Sequence, residues 1–234
     1  MRILKQNLID LVNKSKSKDL LLKKVEEQNY EYVYVALQDE GLLSFDKYQQ
    51  LKTEFEERNK YLPIIKITSP RAFGETWAED YILSLFPQLQ SSRKNKLVKE
   101  KGQYDVFYDK GKGDIVRVEV KAGRAVDRNR HNMPYDRRAF STLDEDGLFD
   151  MNFQQMKPDC FDVAILMGVW TDKIRYWVLS SKEMRGHKHF SSGQHRGNKG
   201  YEGQIHIKTE NLNDFKPFEV EEVKVFETVL KKAV

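Results

Sequence analysis

Gln103-Tyr104-Asp105-Val106-Phe107-Tyr108, then Asp109-Lys110-Gly111-Lys112-Gly113, then Asp114-Ile115-Val116-Arg117-Val118-Glu119-Val120-Lys121: the reading of this stretch decides the fold. The outer runs alternate polar and apolar residues, and the middle run is turn chemistry, so the stretch predicts a β-hairpin. With the turn centred near Gly111–Lys112, position 105 falls opposite roughly 118 or 119. Glu119 and Lys121 are two apart and share a face, while Val118 and Val120 point the other way into a core.

This hairpin gathers two carboxylates and one amine at one end. Hydrolysis of a phosphodiester needs such a set, because carboxylates hold a hard divalent ion, Mg2+ being the expected one, that neutralises the scissile phosphate and acidifies a bound water. Asp105, Glu119 and the carbonyl of Val120 are the candidate metal ligands. Lys121 can orient or deprotonate the attacking water, or offset charge building on the phosphate.

Upstream, Ser69-Pro70 predicts a helix cap with proline at the first helical position, and a helix from about 70 to 86 follows, ended by Pro87. Trp77, Ala78, Tyr81, Ile82, Leu85 and Phe86 form its apolar face. Glu75 and Glu79 lie one turn apart beside that face. Glu75 is the expected inward-facing acid, completing the catalytic set, and Glu79 is the second choice or a DNA-side neighbour. Gly74 is expected to let another backbone approach.

Asp105 followed after thirteen residues by Glu119-Val120-Lys121 resembles the PD-(D/E)XK nuclease signature, and Gly74-Glu75-Thr76-Trp77-Ala78-Glu79-Asp80-Tyr81-Ile82 looks like the helix that such nucleases place before the catalytic hairpin. The resemblance spans roughly residues 70–180. Asn152-Phe153-Gln154-Gln155-Met156-Lys157-Pro158, followed by an apolar strand, is similar in style to type II restriction enzymes. Tyr104 departs from the family pattern by standing where the signature has proline, although only the aspartate binds metal. The resemblance implies an α/β (α+β) fold with a restriction-endonuclease-like central mixed sheet flanked by helices. It also implies Mg2+-dependent cleavage of double-stranded DNA at a specific sequence by a homodimer. A structure-specific repair or junction-resolving nuclease, and a non-catalytic DNA-binding protein on the same fold, are the competing readings.

Basic residues mark the expected DNA surface. Arg124, Arg128, Asn129, Arg130, Asn132, Arg137 and Arg138 lie in a stretch that leaves Lys121 as a loop, with side chains suited to phosphates and base edges. His187, Lys188 and His189, then Gln194, His195, Arg196, Asn198 and Lys199, form a second, glycine-rich candidate surface. The histidines there lack a cysteine or acid at zinc spacing.

The rest of the chain reads as follows. Residues 1–62 are a helical arm, with 30–37 taken as helix ahead of Gly41. The arm is either a packing or dimerisation element or a DNA clamp using Lys14, Lys16 and Lys18. Residues 63–234 are the nuclease domain, with Ile64–Ile67 as a connector, a helix around 148–157, strands at 161–170, 174–180 and 204–208, and a helix near 219–232. Trp77, Trp170, Trp177 and Cys160 are core candidates. The formal charge is only +4, from 40 basic and 36 acidic residues, so charge placement says more than the total. A single cysteine excludes an internal disulfide, and neither a secretory leader nor an apolar run long enough to span a bilayer is visible. A soluble, cytoplasmic protein is expected.

Overall fold

A computed structural model of the chain describes residues 8–27, 29–93, 104–144, 147–193 and 202–233. Strands β1 (Gln90–Ser91), β2 (Val106–Gly111) and β3 (Asp114–Arg124) open the main sheet, and β2 and β3 form the expected hairpin. Gly111 pairs with Asp114 across a two-residue loop in which Lys112 and Gly113 both have positive φ, 56° and 84°. That conformation matches the twist of the flanking strands and favours glycine. The turn therefore lies slightly later than the sequence reading put it. A one-residue irregularity between Asp109 and Gly111 compensates, so that Val106 faces Val118. Without it Val106 would face Glu119, and Asp105 would slide past the acid it has to meet.

The remaining strands are β4 (Val126–Asp127), β5 (Phe149–Met156), β6 (Val163–Val169), β7 (Ile174–Ser180), β8 (Phe190–Ser192), β9 (Gly203–Lys208) and β10 (Glu219–Val220). The main sheet has the order β1-β2-β3-β6-β7-β10 and is mixed, because β3 and β6 run parallel while the other neighbours are antiparallel. A second, antiparallel sheet has the order β4-β5-β9-β8. β6 is buried along its whole length, as its unbroken apolar sequence requires.

Alternation along these strands builds two cores. Val116, Val118, Val120, Val163, Ile165 and Val178 face one side of the main sheet, where Phe73, Ala78, Ile82, Val225 and Val229 cover them. Ala164, Leu166, Trp177 and Leu179 face the other side, against Phe149, Met151, Phe153, Ile205 and Ile207 of the second sheet. The molecule is thus mixed α and β, layered as helices, main sheet and second sheet.

Residues 8–12 are helical, followed by α1 (Lys18–Glu26), α2 (Tyr30–Asp39) and α3 (Phe45–Arg58). Asn29 and Ser44 cap α2 and α3 through their side chains, as short polar residues at that position do. Leu8, Val12, Leu21, Val33, Leu37 and Leu51 give these helices a core of their own. The helical reading of 30–37 holds. The expected connector 64–67 instead contains a short helix, α4 (Leu62–Ile65), and the Tyr61 amide donates to Thr171 O to tie it to the sheet.

The helix before the hairpin begins under a Ser69 cap and runs through a wide π turn, Ala72–Trp77, into α5 (Ala78–Leu85). Among the described residues the further α-helices are α6 (Tyr135–Arg138), α7 (Ser181–Gly186), α8 (Leu212–Phe215) and α9 (Val225–Lys232).

Two further expectations fail. Residues 149–156 form a strand, not a helix: Phe149, Met151 and Phe153 alternate into the core with Asp150 and Asn152 turned away. Near the C-terminus, Glu219–Val220 pairs with β7 and Arg175 binds Glu219, so the helix starts only at Val225. Among the described residues no helix is long and apolar enough to cross a membrane.

Candidate active site

Asp105 stands where β2 bends away, and the backbone of β3 fixes it on both flanks of Glu119. Its amide donates to Val118 O at 3.2 Å, and its Oδ2 accepts from the Val120 amide at 3.0 Å. Lys121 Nζ lies 3.3 Å from Asp105 Oδ2 and 2.7 Å from Glu119 Oε1. The three side chains named from the sequence therefore converge, and all three are buried. Tyr104, at the position of the signature proline, packs into the core under the second sheet.

Burial and charge act together here. Burial pushes Glu119 far above the usual carboxylate range, to about 7, with the Lys121 charge opposing and Asp105 and Glu75 adding to the rise. Burial works against the charge of Lys121, yet Glu119 and Asp105 outweigh it and hold the amine more basic than a free lysine. Lys121 is therefore an ammonium at neutral pH. It is suited to donating hydrogen bonds and offsetting negative charge, not to removing a proton.

Both helical acids reach this cluster, in an order the sequence did not give. Glu79 is the buried one, 4% exposed, and accepts a short hydrogen bond from Ser91 Oγ. Burial raises its pKa, with Ser91 and Arg93 opposing. Glu75, expected to be the inward acid, is half-buried and pairs with the exposed Arg71 at 3.4 Å. The π turn explains the exchange: it breaks the 100° phase on which the projection of the helix rested. Gly74 is not sterically required, since a Cβ there would stand 3.6 Å from Ala122 O, an ordinary contact.

Sequence reasoning missed Arg93. Its guanidinium lies 3.6 Å from Glu75 Oε2, 3.3 Å from Glu79 Oε2 and 3.4 Å from Asp105 Oδ1. It stands two residues after the end of β1 and twelve positions ahead of Asp105, and no spacing signal marks it.

The donor set suits Mg2+. Among the described residues no three His, Cys, Asp or Glu side chains form a ready metal cage. Mg2+ does not need one, since it binds through one or two carboxylates and keeps several waters. Asp105, Glu119 and the Val120 carbonyl offer oxygen donors of that kind, with Lys121 and Arg93 lying between the acids.

The expected DNA surface is only partly available. Arg124 must be withdrawn from it: β3 continues through that residue, and the side chain is buried between the rings of Phe73 and Tyr135, 3.7 and 4.0 Å from their centroids. It also donates to Ile65 O and Ile67 O. The basic loop thus begins after β4, not at Lys121. Arg128, Asn129 and Arg130 form a single 3-10 turn, with Arg128 bound to Glu210 and Arg130 near Asp127. Asn132 and Arg137 are exposed, and Arg138 is half-buried over the Tyr135 ring.

His187 and His189 also depart from the reading. His187 stacks on Phe215 at 4.4 Å and His189 Nε2 lies 2.8 Å from Asp214 Oδ2, so packing against α8 holds both. Lys188 is exposed and pairs with Asp214. Gln194, His195, Arg196, Asn198 and Lys199 lie outside the described residues. In the arm, Lys14, Lys16 and Lys18 are exposed. Trp170, Trp177 and Cys160 are buried, and Trp77 is partly buried between Phe73 and Tyr81.

Comparison of the chain with protein-family models, curated proteins and solved structures finds no match.

Proposed function

We propose that this chain is a Mg2+-dependent endonuclease of the restriction-endonuclease-like fold that hydrolyses phosphodiester bonds of double-stranded DNA at a specific sequence. The observation that carries the reading is the convergence of Asp105, Glu119 and Lys121 on one end of a hairpin whose second strand runs parallel to a buried central strand. A pure DNA-binding protein gains nothing by setting buried carboxylates against phosphate.

Asp105, Glu119 and the Val120 carbonyl would hold the ion, which supplies electrostatic neutralisation of the phosphate and a more acidic bound water. Each residue then has a separate task. Asp105, fixed by the Val120 amide, sets the position of the phosphate relative to the strand. Lys121, kept protonated by Glu119 and Asp105, donates to the attacking water or to a phosphate oxygen and offsets the charge that develops there. The hydrophobic cores on both sides of the sheet keep these groups fixed as the reaction proceeds.

Arg130, Asn132 and Arg137 are the exposed groups best suited to DNA contact, with Asn129 and Arg128 beside them. A symmetric site is matched by the two-fold symmetry of a homodimer, in which each subunit cuts one strand. The exposed Leu20, Tyr32, Val35 and Phe45 of the helical arm offer apolar surface for it. Cleavage directed by DNA shape is the second reading, favoured by the commitment of Arg124, His187 and His189 to packing, which leaves fewer side chains for base contacts.

The test is digestion of genomic DNA by the purified chain, with Mg2+ and with a chelator, followed by sequencing of fragment ends. Ends sharing one sequence, seen only with Mg2+, are expected. Ends at branched or bent sites would favour the second reading, and intact DNA in both reactions would reject nuclease activity.

A further inference from the structure

We propose that Arg93 is the positioning residue of the acidic cluster, a tethered cation that holds Glu75, Glu79 and Asp105 together until a divalent ion takes over that task. The inference rests on the divalent-cation reading of the site.

Its geometry is that of a shared counter-ion. Arginine bound to a single carboxylate grips it as a two-pronged fork, with each contact near 2.8 Å, to use an order-of-magnitude figure for charge-assisted hydrogen bonds. Arg93 makes no fork. Its Nη2 is divided between Glu75 Oε2 at 3.6 Å and Asp105 Oδ1 at 3.4 Å, while its Nε lies 3.3 Å from Glu79 Oε2. These acids come from two separate elements: Glu75 and Glu79 from the helix, and Asp105 from the bend before β2. A single cation thus spans the gap between helix and hairpin, at distances too long for it to be locked onto any one partner.

Charge points the same way. Glu75, Glu79, Asp105 and Glu119 outnumber the cations beside them, Arg93, Lys121 and the exposed Arg71, so the cluster keeps a net negative charge when every group is ionised. The two cations that touch Asp105 differ in access: the Arg93 side chain is 36% exposed and that of Lys121 is 9% exposed. Arg93 can swing into solvent on its long stem at little cost, while Lys121 stays buried beside Glu119. Metal entry therefore competes with Arg93 and leaves Lys121 in place, and removing the Arg93 charge should strengthen metal binding.

The test is calorimetric titration of Mn2+ into the full-length chain, metal-stripped, as wild type, Arg93→Gln and Arg93→Lys, with circular dichroism to establish folding. Arg93→Gln should bind Mn2+ roughly five- to tenfold more tightly, the effect of removing one charge near a screened site. Arg93→Lys should stay near wild type, because the charge is retained. Equal Mn2+ affinity in wild type and Arg93→Gln overturns the inference while leaving the nuclease reading standing. If Arg93→Gln instead loses DNA affinity in Ca2+ with Mn2+ affinity unchanged, Arg93 is a phosphate contact and the inference fails. Absence of Mn2+ binding in wild type and in both variants, all folded, rejects the site together with the inference.

Discussion

Lys121 Nζ stands 2.7 Å from Glu119 Oε1, and both side chains are buried. Two residues apart on one strand, they form an ion pair that faces Asp105 instead of solvent, and Asp105 Oδ2, 3.3 Å from Nζ, is the second partner of Lys121. A buried pair of this kind is costly to break, because the survivor is left as an uncompensated charge.

Asp105→Ala and Lys121→Ala should each lower DNA cleavage by at least about 100-fold, as expected for loss of a group acting on the transition state. DNA binding should survive in the lysine variant. Filter binding in Ca2+ with parallel cleavage in Mg2+ separates the two effects. Cleavage persisting in both variants would move the active site elsewhere.

Arg124→Ala should cost about 3 kcal/mol of stability, since it removes a guanidinium stacked between two rings and leaves two carbonyls without a donor. Arg130→Ala and Asn132→Ala should leave stability unchanged and weaken DNA binding. Urea denaturation read beside DNA affinity checks the contrast, and a stable Arg124→Ala protein that fails to bind DNA would return Arg124 to the DNA surface.

The contrast also marks what the sequence discloses. The hairpin is legible because the alternation of Val116, Val118 and Val120 and the glycine turn are local signals. The convergence of Asp105, Glu119 and Lys121 is legible only in part, because it depends on a later turn and an irregularity between Asp109 and Gly111 that offset each other. The fate of Arg124 is not legible, because its partners Phe73 and Tyr135 come from distant segments that meet only in the folded chain. Glu75 and Glu79 change places because a π turn carries no obvious sequence mark. Residues 149–156 mislead because Asn152, Gln154 and Gln155 read as polar helix surface, whereas the burial of Phe149, Met151 and Phe153 follows a period of two. Arg93 is silent because it opens a basic run, Arg93-Lys94-Asn95-Lys96, in which nothing sets it apart from its neighbours.

Glu183 links the capping box of α7 to Lys232 at the end of α9. Burial pushes its carboxyl up, but hydrogen bonds from Lys232 and from the Ser180 amide outweigh this and hold it below the usual range. A depressed carboxyl contributes stability that is fully present above its unfolded pKa of about 4.3 and is lost as pH falls through the folded value. Wild type should therefore melt above Glu183→Gln at pH 7, and the gap should close in acid. A gap of constant size from pH 7 to pH 3 would show that the link has no electrostatic content.

Gly168 lies on β6 beneath the aromatic cluster, and a Cβ there would stand 2.7 Å from Trp177 Cζ3, 2.8 Å from Trp170 Cζ3 and 2.9 Å from Met151 Sδ. Gly168→Ala should destabilise the protein by roughly 1–3 kcal/mol, the usual cost of overpacking. Guanidinium unfolding of the variant checks this, and stability equal to wild type would mean that the two indoles yield without strain.

The most direct measurement of the central claim is the fate of high-molecular-weight genomic DNA, long enough to hold many copies of a short target sequence, incubated with wild-type protein, with Asp105→Ala and with no protein, each at a fixed Mg2+ concentration and again with chelator. Conversion to fragments with common end sequences by wild type in Mg2+ alone is the predicted result. Genomic DNA left intact by folded wild-type protein in Mg2+, or cut equally well by Asp105→Ala, would contradict it.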